Sequence, residues 1–203
     1  MGFTALILFG GPVAVGAVAG YLTGGRLNRL AGIRLRQLWL VWLAAAVQVV
    51  QLATARLPGA AGHRLRGPLL ALAIGLALLW LCVNALGRAR TLQAAVGLAL
   101  TGALLNALPI AANGRMPYSR SAAATAGLHA GAQTAKNVAA GRSTHLLALG
   151  DTIPLARLHA VISIGDILLA TAAALLVAAA MHQPADTARE RNRPCPAPSP
   201  GSA

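Results

Sequence analysis

Two aspartates stand apart in this sequence. Asp151 and Asp166 are the only acidic side chains in the first 185 residues, and the other two acids, Asp186 and Glu190, lie close to the C-terminus. Paired carboxylates can share a proton and split their titrations, the arrangement used in acid–base hydrolysis. Any carboxylate-pair chemistry in this chain therefore falls to these two residues. Each also has a plain structural reading. Ser163-Ile-Gly-Asp166 has the spacing of a capping box, with Ser163 opening a helix and Asp166 reaching back to its N–H. Asp151 stands in Leu-Gly-Asp-Thr-Ile-Pro, where Gly150 and Pro154 predict a turn and an Asx-type or capping role.

Other polar residues can reach them. Polar side chains within apolar helices are costly and default to functional candidates. With a rise of about 1.5 Å per helical residue, Asn106, Asp166 and Gln51 fall at about 21, 22 and 20 Å above one edge of a bilayer. One polar layer from three helices is the expectation, with interhelical hydrogen bonding as its simplest use. Pro109 frees carbonyls near that layer. Asn113-Gly-Arg-Met-Pro-Tyr follows, with a turn at Asn-Gly and with Arg115 placed to pair with an aspartate or a lipid phosphate. The candidate ligand-binding residues are thus Asn106, Asn113, Arg115, Asp151 and Asp166, with Asp151 and Asp166 catalytic if they form a dyad. His129, His145 and His159 are spaced by 16 and 14 residues, which matches no metal signature. Cys82 and Cys195 form no metal or disulfide pattern, and Ser119, Ser121 and Ser143 lack a nucleophile context. No metal and no cofactor is expected.

The elements that must position these residues are apolar. Of 203 residues 57% are hydrophobic and 10% charged, with a mean hydropathy of +0.65. A soluble domain carries about 25% charged residues, so the composition excludes a soluble single-domain enzyme and predicts an integral membrane protein. Seventeen basic residues against four acidic ones give a net charge of +13. They sit in loops between apolar stretches, with no groove-reading or stacking element, so nucleic acid is not an expected partner. Crossing the hydrocarbon core takes about 20 apolar residues, and five stretches qualify: 3–22, 38–55, 68–86, 92–112 and 160–181. The expected fold is all-α, a bundle of about five transmembrane helices forming one domain, 1–181. A single long connection, 113–159, faces outward, and a proline-rich cytoplasmic tail, 182–203, is expected to be disordered.

No basic residue precedes the first stretch, so it does not read as a cleavable signal. Arg26, Arg29, Arg34 and Arg36 follow it, which predicts the N-terminus outside and the C-terminus in the cytoplasm. Arg56, Arg64 and Arg66, and five basic residues in the long connection, run against that orientation. Glycines at 10–11, 16, 20, 24–25, 75, 97 and 102 are expected to let helices pack closely.

Asn113-Gly114…Met116-Pro117, Leu149-Gly150-Asp151 and Ser163-Ile164-Gly165-Asp166, in this order, resemble a family of small multi-pass bacterial membrane proteins classed as a domain of unknown function. Gly24-Gly25-Arg26 and the Trp-bearing second stretch, Trp39 and Trp42, extend the likeness over most of the chain. The resemblance implies a cytoplasmic-membrane protein with an outward polar region and brings no activity with it. The region from Asp151 onward is also loosely similar to lipoprotein signal peptidase, an intramembrane aspartyl enzyme with one aspartate in a turn and one opening its final helix. Ser163-Ile-Gly-Asp166 lacks the asparagine of that enzyme's second motif, its Gly-Asn-x-x-Asp-Arg element is missing, and the interval between the aspartates is shorter. Two functions follow as expectations. One is a membrane protein that binds a lipid, a small molecule or a membrane-protein partner at an outward Asp/Asn site. The alternative is an aspartate-dyad hydrolase. No NTP-binding loop, redox centre or inverted repeat points to active transport.

Overall fold

A computed structural model describes residues 2–31, 35–54, 60–132, 134 and 136–182. Most of them are helical: α1 (Gly2–Leu22), α2 (Asn28–Ala31), α3 (Leu38–Thr54), α4 (Ala60–Ala85), α5 (Arg90–Asn113), α6 (Arg120–Thr125) and α7 (Ile164–Ala180). Two helices are long and apolar enough to cross a membrane, Gly67–Ala85 within α4 and Arg90–Asn113. Leu6–Leu22, Leu38–Gln51 and Ile164–Ala180 are apolar helices too but shorter. The tail from 183 onward lies outside the described residues.

The last apolar stretch begins as a strand. Ala160-Val-Ile162 is β-branched in two of three positions and forms β4, and α7 starts only at Ile164. Ser163 sets that boundary, because its side chain accepts the N–H of Asp166 and holds the first turn.

The long connection is folded too, where the sequence predicts only turns, at Asn113-Gly114 and around Asp151. It contains β1 (Met116–Tyr118), α6, β2 (Asn137–Ala139), β3 (Ile153–Leu155) and two short 3-10 turns, and β4 joins it from the start of the last apolar stretch. β1 pairs in parallel with β2, Met116 opposite Asn137, and β3 pairs antiparallel with β4, Ile153 opposite Ile162. We refer to this layer as the cap.

Within the bundle α7 is the pivot, packed on α5 along one side and on α1 along the other, while α3 packs on α4. Small residues make those crossings possible. A Cβ at Gly16 would fall on the backbone of Ala174, and one at Gly102 on the backbone of Gly165 and on Leu168. Ala172 of α7 and Ala95 and Ala99 of α5 are buried. By contrast Gly75 and Gly97 face open space and bring no helices together. The outer faces carry Phe9, Trp42, Leu79 and Leu104, all well exposed. Only 17% and 28% of the two membrane-length segments are covered by the rest of the protein.

At the end away from the cap, the chain ties α1 to α7. Arg26 N donates to Met181 O (3.1 Å). The two ring nitrogens of His182 face the carbonyls of Ala178 (2.8 Å) and Thr23 (3.1 Å). Carbonyls only accept, so both bonds need a protonated imidazole, and these backbone contacts raise the His182 pKa above its ordinary value.

Candidate functional site

Asp166 is the N3 residue of α7, and both halves of the capping box are formed. Asp166 N donates to Ser163 Oγ (3.0 Å), and Ser163 N donates to Asp166 Oδ2 (3.0 Å). Asn106, on α5, completes the cluster. Its Nδ2 donates to Asp166 Oδ1 (2.7 Å), and its Oδ1 accepts from Ser163 Oγ (2.7 Å). Every polar atom of this trio is used, and Ser163 is fully buried. Gly165 makes room for it, since a Cβ there would collide with the Asn106 amide. The helix rise therefore put Asn106 and Asp166 at the right common height. Gln51 stands on α3, which packs on α4, and its Oε1 accepts from Gln48 Nε2 (3.1 Å) instead.

Asp151 is brought up to this cluster by the β3–β4 hairpin. The antiparallel register, 153 with 162, runs on to Thr152 N donating to Ile162 O (3.1 Å), so Asp151 arrives beside the start of α7. Its backbone is locked against the edge of β1. Asp151 N donates to Pro117 O (2.9 Å) and Ser119 N donates to Asp151 O (2.8 Å). Gly150 is required just before it, because a Cβ there would meet Pro117 O. The side chain is 7% exposed. Asn137, from β2 on the far side of β1, donates Nδ2 to Asp151 Oδ2 (2.7 Å). Among the described residues nothing donates to the other oxygen, Oδ1.

These surroundings hold the Asp151 carboxyl well above the ordinary range. Burial is the largest cause, the negative charge of Asp166 adds to it, and the Asn137 amide opposes both; the pKa is pushed up from 3.8 to about 7. Asp151 thus keeps its proton until near neutral pH and carries a charge above it.

Asn113 and Arg115 lie apart from the carboxylates. Asn113 Nδ2 donates to Pro109 O and to His145 O (both 2.8 Å), and its Oδ1 accepts from His145 N (2.9 Å). It fastens the far loop of the cap to the end of α5. Gly114 follows at φ 73°, a left-handed conformation that ends the helix and turns the chain into β1. Arg115 Nη1 donates to Thr134 O (3.2 Å), so it bridges the cap internally and pairs with neither described aspartate. Asn137, which the sequence reading did not single out, is the side chain that touches Asp151. A lone asparagine in a polar loop has no periodicity, and only the parallel β1–β2 pairing gives it meaning. Among the described residues no group of three or more His, Cys, Asp or Glu side chains could hold a metal ion.

A helical bundle with membrane-length apolar segments, closed at one end by a small α/β cap over two coupled aspartates, defines the class of protein. The chain belongs to the DUF5317 family, a family of unknown function, whose sequence model matches residues 32–178 and so takes in the cap and both aspartates. No curated protein and no solved structure matches it.

Proposed function

We propose that this is a five-span protein of the bacterial cytoplasmic membrane whose outward-facing cap binds a small cationic group at Asp151. A membrane is the environment that suits the helices. In water their uncovered faces would be an apolar surface far larger than soluble proteins carry, and in lipid they need no cover. The three shorter apolar helices cross with the polar residues at their ends in the interfacial region, which alternates the chain and puts the cap on the side of the N-terminus.

The observation that carries the binding reading is the state of Asp151. It is a buried carboxyl with one oxygen held by Asn137, no donor on the other among the described residues, and a pKa of about 7. A site of this kind exchanges a proton for another small positive group near neutral pH. With Asp151 only 7% exposed, a small group such as an ammonium suits it best, whether on a free amine or on a lipid headgroup. Asn106, Ser163 and Asp166 form the fixed floor, while Asn113 and Arg115 hold the cap in place around it.

Thermal unfolding of the purified protein tests this. Methylammonium at pH 8 is expected to raise the midpoint by several degrees relative to tetramethylammonium, which is too bulky to enter. The effect is expected to vanish at pH 5 and in Asp151→Asn. Equal shifts in wild type and Asp151→Asn would contradict the reading.

A dyad hydrolase is the second reading, and the coupling of Asp151 to Asp166 favours it. It requires that Asp151→Asn and Asp166→Asn each abolish the same activity in the cell. The hydrogen bonding counts the other way, because each carboxylate is held by an asparagine.

A further inference from the structure

An apolar cavity of about 150 Å3 lies at the end of the bundle opposite the aspartates, where α4 finishes, α5 begins and α7 ends. Leu81 from α4, Leu92 and Val96 from α5, and Leu176 and Ala180 from α7 form its walls. Among the described residues α4 meets α5 over a short stretch only, which leaves the seam between them open. An apolar pocket of this size has room for an apolar group of about benzene's bulk.

The polar groups at its rim are already satisfied within the chain. Trp80 Nε1 and Asn84 Nδ2 both donate to Arg36 O (3.0 Å each), and Arg36 N donates to Asn84 Oδ1 (2.8 Å). The cavity therefore offers hydrocarbon walls and no free hydrogen-bonding groups of Asn84 or Trp80 to a polar occupant. Its mouth is cationic. Arg88 lines it, Arg36 follows the rim residue Leu35 in the chain, Arg90 stands midway between the lining residues Arg88 and Leu92, and both Arg36 and Arg90 are exposed. Neither described aspartate is near, since Asp166 opens α7 at the other end of that helix.

We propose that this cavity seats part of one acyl chain of an anionic phospholipid, with the lipid phosphate held at the mouth by Arg36, Arg88 and Arg90. An acyl chain is the occupant that matches both features at once, an apolar interior and a basic rim at a membrane surface. The C-terminal segment 183–203 leaves from the same end, but its five prolines and scattered charges give it little that suits hydrocarbon walls. The inference rests on the membrane reading above and concerns the opposite end of the molecule from Asp151.

Trp80 reports on the cavity directly. The full chain with Trp39→Phe and Trp42→Phe, which leaves Trp80 as the remaining indole, is reconstituted in phosphatidylcholine nanodiscs. Phosphatidylglycerol brominated on its acyl chains is then added in steps. Contact quenching of Trp80 is expected to saturate at a low mole fraction of the brominated phosphatidylglycerol. Brominated phosphatidylcholine is expected to quench only in proportion to its amount, and glycerol 3-phosphate, a headgroup without a chain, is expected not to compete. Ala180→Phe, which fills the cavity, should remove the saturable part. Arg36→Gln with Arg90→Gln should keep it but raise the half-saturating fraction several-fold. Equal quenching by the two lipids, or saturable quenching that survives Ala180→Phe, would overturn the inference and leave the membrane reading intact. Failure of the wild type to enter nanodiscs at all would overturn both.

Discussion

Asp151 and Asp166 share a chemistry and differ in what holds them, so the same substitution should act on them in opposite directions. Asp166 accepts hydrogen bonds on both oxygens, from Asn106 and from Ser163 N. Asp166→Asn turns one oxygen into an amide that faces a donor, and should destabilise by about 1–3 kcal/mol, the cost of a broken buried bond. Ser163→Ala removes the helix cap and orphans Asn106 Oδ1, and should cost about 1–2 kcal/mol. Thermal midpoints of the purified variants check both. Among the described residues Asp151 is hydrogen-bonded through one oxygen only, so an asparagine there can keep the Asn137 contact while shedding the cost of a buried charge. The Ser163–Asp166 box was legible because capping depends on residues three apart. The Asn106 contact was half legible, since helix rise gives a height and no direction, and the same argument wrongly added Gln51. Asn137 was hidden, because its position depends on a parallel strand pairing that spans about twenty residues with no alternating pattern.

At the scale of elements, the glycines divide into those that let helices touch and those that do not. Gly16 and Gly102 face the backbone of α7, whereas Gly75 and Gly97 face open space. Gly16→Ala and Gly102→Ala should each lower the midpoint by several degrees, because a backbone cannot move aside as a side chain can. Gly97→Ala should be neutral or stabilising by up to about 1 kcal/mol, the gain in helix propensity. Equal effects at Gly97 and Gly102 would contradict the α5–α7 packing. Composition alone marked all these glycines as packing residues; it cannot tell which face of a helix finds a neighbour. The helices themselves were legible from apolar length, and the cap was not. Its strands are three residues long, two of them contain proline, and their register is set by tertiary contacts. The start of α7 shows the same contest, since the apolar run from Ala160 reads as helix until Ser163 interrupts it.

For the whole molecule, the arrangement puts charge at both ends and hydrocarbon between them. If the cap faces outward, a cysteine at exposed Lys136, in a chain with Cys82→Ser and Cys195→Ser, should react with an impermeant maleimide in intact cells. A cysteine at Ala89, between α4 and α5, should react only after permeabilisation. The reverse pattern would overturn the orientation. The central claim is that the cap holds Asp151 protonated to near neutral pH, and it has a direct thermodynamic signature. A carboxyl whose folded pKa lies at about 7, above its ordinary 3.8, binds more protons in the folded state between those values. The contribution of Asp151 to stability is therefore full in acid and falls as pH rises through that window, by an amount on the order of 4 kcal/mol. The decisive measurement is the thermal midpoint of wild type and Asp151→Asn, side by side, from pH 5 to pH 8. The wild type should lose stability relative to Asp151→Asn across that range, so that the variant is several degrees more stable at pH 8 and the difference narrows toward pH 5. Parallel curves, or a variant less stable at pH 8, would contradict the account.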